Sequence, residues 1–280
     1  MGFNSDISGV RRGAETLLRD LIHERVGLFF DDSKITLLVD KLAPLIVERG
    51  FDSFLDYFYL LKYDADSAGD WQSVVNALTV QETYFWREME QIHGLAENVI
   101  PYLLSKNPNA RIRIWSAACA TGEEPLTIVM RLNENGWFER ADIEIYASDA
   151  STAALERARK GRYRERSFRA LPANLKEKYF TPDGKEWTVA PRLAEKIRWT
   201  QANLLETSET AIMSSVSIIF CRNVFIYFSP AAVRRVVNSF AEKMPVPAFL
   251  FVGAAESLLK VTDDFELEEI GSAFVYVKRN

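Results

Sequence analysis

The stretch IWSAACATGEEP, residues 114–125, is the segment from which the fold can be argued. An apolar run ends in a turn of small residues and a helical pattern follows, which predicts a strand that passes directly into a helix. Small side chains let the backbone approach a ligand, and the first N–H groups of a helix have no partners within it. The stretch therefore predicts a cofactor site. A tight turn carrying surface glutamates is the alternative.

The charge of this turn limits the kind of ligand. It contains neither a GxGxxG pattern nor the Gly-Lys-Ser/Thr of a phosphate-binding loop, and Glu123 and Glu124 stand where a triphosphate would be repelled. Acidic residues suit a cation instead, such as S-adenosylmethionine, whose sulfonium and amine are both positive.

Short β-rich runs alternate with helical patterns on both sides of this stretch: RIRIWSA, IEIYASD, IRWTQANL, SIIFCRN and FLFVGAAE. Such alternation predicts a doubly wound parallel sheet. The last runs, FELEEI and AFVYVK, predict a terminal antiparallel hairpin. The alternation is interrupted at about residues 161–198, where a Pro-Asp-Gly turn between aromatic runs predicts a small inserted hairpin.

Residues 1–80 have a helical period, with apolar residues three and four apart in the runs 17–30, 34–50, 54–64 and 70–80. Asp31, Asp32 and Ser33 are candidate caps of the second helix, and Gly50 is its expected end. We expect a small helical domain over 1–80 and an α/β domain over 81–280.

Polar residues follow several predicted strands. Asp149 ends the second strand, where an acid can accept hydrogen bonds from ribose hydroxyls; a cap of the next helix is the alternative. Arg222 and Asn223 follow the fourth strand, and Tyr227 comes shortly after. Ligands of open α/β sheets bind at this edge, although a turn residue and a core aromatic are the alternatives for Asn223 and Tyr227.

Arg87 lies beside Tyr84, Phe85 and Trp86 at the predicted domain boundary. The aromatic residues are expected to pack that junction. An arginine in this position can hold a carboxylate through two hydrogen bonds.

The amino-acid composition further narrows the class of function. Residues 1–80 carry the whole net charge of −5, so the remainder is neutral, which argues against nucleic acid because phosphate binding needs a clustered basic face. Cys119 and Cys221 are far apart, so neither a disulfide nor a metal site is expected. Without a long apolar run or a signal peptide, a cytoplasmic protein is expected, and a monomer is the default.

The motifs QETYFWRE, WSAACATGEEP, YASD, QANLL, FCRNVFIYF and GAAES, in this order, resemble those of the CheR-type chemoreceptor glutamate methyltransferases, from about residue 10 to the end. The resemblance implies a seven-stranded class I (Rossmann-like) methyltransferase domain, a helical N-terminal domain and an inserted β-subdomain. It implies methyl ester formation on receptor glutamates in chemotaxis signalling, with S-adenosylmethionine as cofactor, S-adenosylhomocysteine as product, and no metal.

Residue by residue, the resemblance implies catalytic roles for Arg87 and Tyr227. Together with the small-residue turn, it implies cofactor contacts from Gln81, Thr83, Arg87, Ala118, Gly122, Glu124, Asp149, Asn203, Leu204, Arg222 and Asn223. The partner is the cytoplasmic methylation region of a receptor. In some relatives the inserted subdomain also captures the receptor's C-terminal peptide.

The chain also departs from the family pattern. Gln81 stands where Asn is usual, and residues 253–257 read GAAES, without the histidine of the family's GHSE. The family's basic helical face has its counterpart only in Arg11, Arg12, Arg19 and Arg25, for which a mixed, solvated face is the alternative. Two other functions remain: a non-catalytic regulator or scaffold that binds S-adenosylmethionine or its product, and a methyltransferase for a small molecule.

Overall fold

The computed structural model describes residues 8–279, and their side chains from residue 13 onward. The chain divides into two compact units. The helical unit contains residues 8–79 and 227–232, and the sheet unit contains residues 80–226 and 233–279.

Four helices build the helical unit: α1 (Ser8–Val26), α2 (Ile35–Glu48), α3 (Phe54–Tyr63) and α4 (Ala68–Leu78). Their apolar faces meet in one core, in which Leu18, Ile22 and Leu42 are fully buried. The first helix is shorter than its apolar pattern predicts. It ends at Val26 because Gly27 takes a left-handed conformation with φ of 82°.

The start of α2 also differs from the prediction. Asp31 accepts a hydrogen bond from the backbone N–H of Ser33 and so caps a single 3₁₀ turn, Asp32–Lys34, that precedes α2. The end of α2 agrees with the prediction, since Gly50 follows the helix with φ of 82°.

The arginines of α1 do not present a free basic face where their side chains are described. Arg19 forms ion pairs with Asp20 at 2.9 Å and Asp32 at 2.6 Å, and the guanidinium of Arg25 lies over the Trp71 ring. The side chains of Arg11 and Arg12 lie outside the described residues. The mixed face is therefore confirmed for Arg19.

The sheet unit is built on seven strands: β1 (Ile112–Ala117), β2 (Ile143–Asp149), β6 (Ile197–Gln201), β7 (Ile218–Phe220), β8 (Ala248–Phe251), β9 (Glu266–Ile270) and β10 (Ala273–Lys278). Their spatial order is β6-β2-β1-β7-β8-β10-β9. The first five are parallel, and β10 runs antiparallel to both β8 and β9. This is the predicted doubly wound sheet with its terminal hairpin.

The strand order determines where a ligand can bind. From β1 the chain moves outward to β2 and β6, then returns to β7 on the other side of β1. The order therefore reverses between β1 and β7. In open α/β sheets a crevice forms at such a switch point, at the carboxyl ends of the strands.

The helices of the sheet unit are α5 (Met89–Gly94), α6 (Ile100–Lys106), α7 (Glu123–Glu134), α8 (Thr152–Lys160), α9 (Ala173–Tyr179), α10 (Pro191–Ala194), α11 (Thr207–Ser214) and α12 (Pro230–Lys243), of which α12 begins in the helical unit. None of the helices within residues 8–279 is long and apolar enough to cross a membrane.

Three short strands, β3 (Arg162–Arg164), β4 (Phe180–Asp183) and β5 (Glu186–Val189), form a separate antiparallel sheet in the order β3-β5-β4. The Pro-Asp-Gly sequence lies at the β4-β5 turn. Phe85 is fully buried against the rings of Tyr163, Phe168 and Phe180, at centroid distances of 4.8–5.2 Å. This aromatic cluster anchors the segment that carries Arg87.

Candidate active site

An open cleft of about 520 Å³ lies at the switch point of the sheet unit. We call it the switch-point cleft. Six of the predicted site residues line it: Thr83, Arg87, Ala118, Glu124, Arg222 and Asn223.

The turn after β1 takes a backbone conformation that is unusual for residues with side chains. Ala118 and Ala120 have φ of 56° and 48°, and the backbone N–H of Ala120 donates to Asp149 at 2.8 Å. Gly122 has φ of 93°, and a Cβ there would lie 2.8 Å from the Trp199 ring. Gly122 is thus required because Trp199 of β6 and Ala158 of α8 pack closely against this turn, and it is not on the cleft wall.

Asp149 is nearly buried, and its two carboxylate oxygens accept separate backbone N–H groups, those of Ala120 and Ser151. Burial raises the pKa of this carboxyl. Ser151, not Asp149, caps α8, because its hydroxyl oxygen accepts from the N–H of Ala154. The capping alternative for Asp149 is therefore wrong, and its oxygens keep lone pairs for further donors.

Glu123 and Glu124 are not surface glutamates. Glu123 is 2 % exposed, and its carboxylate accepts from the hydroxyls of Thr121 and Ser167. Glu124 lines the cleft and accepts from the Ser116 hydroxyl at 2.7 Å. Burial raises the pKa of both carboxyls, and for Glu124 the nearby Arg222 guanidinium opposes that rise.

Arg222 is the most enclosed charge of the site, with 1 % of its side chain exposed. Its Nη2 donates to the carbonyl of Arg87 at 2.9 Å and lies 3.2 Å from the Glu88 carboxylate. Its Nε, 3.6 Å from Glu124, has no hydrogen-bond acceptor among the described residues. One buried donor on the cleft wall is therefore left for a ligand.

Glu88 was missed in the sequence, although it adjoins Arg87. Its carboxylate accepts from the Asn223 amide at 3.3 Å and from the backbone N–H of Ala254 at 3.2 Å. Burial raises its pKa, but Arg222 and these donors outweigh burial and hold the pKa below the usual value. Glu88 therefore stays ionised and links the ends of β7 and β8.

Glu256 was also missed. Its carboxylate accepts from four backbone N–H groups, those of Asn223 (2.7 Å), Gly253 (2.6 Å), Phe225 (2.7 Å) and Ile226 (3.3 Å). These bonds hold Asn223 in a left-handed conformation with φ of 59°. The available signal was an acid in a run of small residues directly after a buried strand.

Arg87 is held more loosely than Arg222. Its Nη1 lies 3.4 Å from the carbonyl of Glu82, its Nε lies 3.6 Å from the Glu88 carboxylate, and 27 % of its side chain is exposed. Both contacts are long for charge-assisted hydrogen bonds. The guanidinium therefore retains the capacity to bind a carboxylate in the cleft.

The other predicted residues lie elsewhere. Gln81 binds Ser151 and Arg157 outside the switch-point cleft. The Asn203 side chain accepts from the N–H of Leu205, and Leu204 is buried; neither lines the cleft. Tyr227 belongs to the helical unit and packs against its core. The roles of these residues remain predictions.

Comparison with known proteins gives two family matches. Residues 81–274 match the model described as CheR methyltransferase, SAM binding domain, and residues 16–79 match CheR methyltransferase, all-alpha domain. The chain is 37% identical to Chemotaxis protein methyltransferase 2 of Vibrio cholerae, over 93% of this chain and 91% of that protein. It is 31% identical to the Chemotaxis protein methyltransferase of Salmonella typhimurium (88% and 84%), and 28% identical to Chemotaxis protein methyltransferase 1 of Pseudomonas aeruginosa (93% and 96%).

Proposed function

Since the chain belongs to the CheR methyltransferase family, we propose that it converts glutamate side chains of a chemoreceptor to methyl esters, with S-adenosylmethionine as donor. The observation that carries the proposal is the switch-point cleft, in which Glu124 and the arginines Arg87 and Arg222 face one cavity. In this proposal the enzyme acts in the cytoplasm as a monomer.

The residues of the cleft, together with Asp149, which does not line it but holds the cleft residue Ala120, fit this cofactor. The amino-acid part of S-adenosylmethionine carries an ammonium and a carboxylate. The cleft offers an acid, Glu124, and the Nε donor of Arg222, which lies 3.6 Å from Glu124 but has no hydrogen-bond acceptor among the described residues. Asp149, with free lone pairs on a buried carboxylate after β2, suits ribose hydroxyls. Ala118 and Ala120 let the backbone come close to the ligand.

When bound, the cofactor supplies a methyl group on a positively charged sulfur. A glutamate carboxylate, with a pKa of about 4.3 in water, is already ionised at neutral pH and needs no general base. The chain therefore has to position the carboxylate and remove water from it. We assign that role to Arg87, whose weak contacts suit a group that orients its ligand without trapping it. We assign Tyr227 to the acceptor side, by resemblance to the family.

The test begins with isothermal titration of S-adenosylhomocysteine into the wild-type protein and Asp149→Ala. Micromolar binding that is lost in the variant supports the cofactor site, whereas no binding by the wild type refutes it. Transfer of a labelled methyl group to receptor fragments, with base-labile release as methanol, then identifies the ester. Binding without transfer to any acceptor would indicate a regulator, and transfer to small molecules alone would indicate the other alternative.

Arg87→Ala tests the acceptor role. We expect kcat/KM for the protein acceptor to fall about thirtyfold, since one charge-assisted pair contributes roughly 2 kcal/mol. Affinity for S-adenosylhomocysteine should change much less. Unchanged methyl transfer in Arg87→Ala would rule out this assignment.

A further inference from the structure

A second open cleft adjoins the first and is strongly basic. Its volume is about 1090 Å³, and we call it the arginine cleft. Three carboxyl groups line it, together with six cationic side chains: Arg157, Lys160, Arg162, Arg164, Arg166 and Arg169. The sequence-based expectation of no clustered basic face is therefore wrong at this place. These cations come from α8, β3 and the turn after β3, and they are balanced in the sequence by acids that lie elsewhere.

The three acids of the arginine cleft are already engaged. Glu82 pairs with Arg169 at 2.8 Å, and Glu186 pairs with Arg162 at 3.2 Å. Glu123 is buried beneath the wall and accepts from two hydroxyls. Glu82 and Glu123 also feel the charge of Arg166, but neither forms a direct ion pair with it in the part of the chain that the structure describes.

Those cations have weak partners or none. Within the described residues, no ion pair is found for Arg157, Lys160 or Arg166, and Arg157 contacts only the Gln81 amide. Arg164 is 76 % exposed, and its contact with Glu186 is 3.5 Å long. A concave wall with this much unneutralised charge attracts anions, and the field is focused where the wall encloses the ligand.

The two clefts meet. Glu82 and Thr83 line both of them, and Arg87 lies within hydrogen-bond reach of the Glu82 carbonyl. A chain segment that presents a glutamate to Arg87 would therefore place its neighbouring residues along the arginine cleft.

From this juxtaposition, and resting on the function proposed above, we propose that the arginine cleft binds acidic residues that flank the methyl-accepting glutamate. The substrate is then an acidic protein segment, and the cleft selects it. Guanidinium groups bind carboxylates through paired hydrogen bonds, and an open cleft allows several to be bound along one segment.

The walls argue against a nucleic acid as the occupant. Single strands are held by aromatic rings on which bases stack, as well as by cations. Among the described residues, Tyr163 is the one aromatic residue that lines this cleft; it is 4 % exposed, and its hydroxyl donates to the Thr121 carbonyl. The cleft therefore offers charge without a stacking surface.

The test uses the full-length protein and two fluorescent peptides, each with one central glutamate. One peptide has aspartates on both sides of the glutamate, and the other has asparagines. Binding is measured by anisotropy at low and moderate salt with saturating S-adenosylhomocysteine, and methyl transfer is measured with labelled S-adenosylmethionine. The double variant Lys160→Gln/Arg166→Gln removes two unpaired charges. Lys185→Gln/Lys260→Gln removes two exposed charges that do not line the cleft.

We expect the wild type to bind the aspartate peptide at least tenfold more tightly than the asparagine peptide, with the difference shrinking as salt rises. The cleft variant should lose most of this preference while its affinity for S-adenosylhomocysteine and for the asparagine peptide stays unchanged, and the control variant should keep it. Equal binding of both peptides by the wild type, or a preference that survives in the cleft variant, would overturn the proposal. So would tighter binding of an oligothymidylate of equal charge. If the cleft selects the aspartate peptide but no ester forms on any acceptor, the proposed reaction fails and the cleft assignment stands.

Discussion

The carboxylate of Glu256 holds in place the loop that carries Asn223 into the candidate site. It accepts from the backbone N–H groups of Asn223 and Gly253 through Oε2, and from those of Phe225 and Ile226 through Oε1. Glu256→Gln keeps the shape of the side chain but replaces one acceptor oxygen by an NH₂ group. Whichever way the amide turns, two N–H donors then face another donor.

The free energy lost in Glu256→Gln can be estimated from these hydrogen bonds. A hydrogen bond to a charged group contributes about 1.5–3 kcal/mol, so two of them give an upper limit of roughly 3–6 kcal/mol. Partial exposure of Glu256 lets water replace some of this, which leaves about 2–3 kcal/mol. Asn223 also loses the restraint on its left-handed φ and relaxes toward a common conformation. If the Asn223 loop contacts the cofactor, a loss of this size weakens S-adenosylhomocysteine binding about 30- to 150-fold.

The assay is titration of S-adenosylhomocysteine into wild type, Glu256→Gln and Ser257→Ala, each checked for folding by circular dichroism. Ser257 is the adjacent exposed residue and serves as control. Gly253→Ala perturbs the same loop in a second way, since its Cβ would collide with the side-chain amide nitrogen of Asn223. Wild-type affinity for S-adenosylhomocysteine in a folded Glu256→Gln protein would refute the claim that Glu256 positions the Asn223 loop for cofactor binding.

Asp149→Ala should weaken S-adenosylhomocysteine binding at least tenfold by titration, because it removes the acceptor of the Ala120 N–H as well as the proposed ribose ligand. Gly122→Ala should lower the free energy of unfolding by about 1–3 kcal/mol in urea titrations, because the Cβ meets Trp199 at a left-handed φ. Burial raises the pKa of Glu123 above its usual 4.5, so the folded state holds the proton more tightly, and stability is lost as pH rises above 4.5. Glu123→Gln should therefore raise Tm at pH 8 but not at pH 4.5, by about 2–4 °C for each kcal/mol recovered, and an equal Tm difference at both pH values would contradict it.

The sequence predicts most of the sheet because its signals are local. A buried strand followed by small residues and a helix places Ala118 and Glu124 at one edge, and alternation places Arg222 and Asn223 at the same edge. The carboxylates that hold these residues in place could not be predicted in this way. Glu88 and Glu256 act on backbone N–H groups far away in sequence, Ala254 and Asn223 among them, and such partners become visible only after folding.

The same limitation explains why the sequence did not predict the arginine cleft. Residues 81–280 are neutral in sum, so a charge count indicates no basic surface. The fold pairs Glu82 and Glu186 with two of the arginines and buries Glu123, and among the described residues Lys160 and Arg166 are left without a direct ion pair. Local charge depends on which acids face the same cavity, and composition does not contain that information.

Non-glycine residues with a left-handed backbone conformation are concentrated at the candidate site, and this concentration bears on the mechanism. Within residues 8–279 they are Trp86, Glu88, Ala118, Ala120 and Asn223, and all lie in or beside the segments that line the switch-point cleft. Such conformations persist only where surrounding bonds impose them.

For Ala120 and Asn223 these bonds come from carboxylates, and for Trp86 from the Thr127 hydroxyl. Asp149 holds the N–H of Ala120, Glu256 holds that of Asn223, and Glu88 binds the Asn223 amide. In the reaction proposed above the acceptor is already an anion and needs no proton transfer to start it, so acids at this site are free to shape the backbone instead. Their neutral isosteres should therefore reduce ligand affinity at every pH at which the protein is folded, whereas a general base would show a loss of kcat that depends on pH.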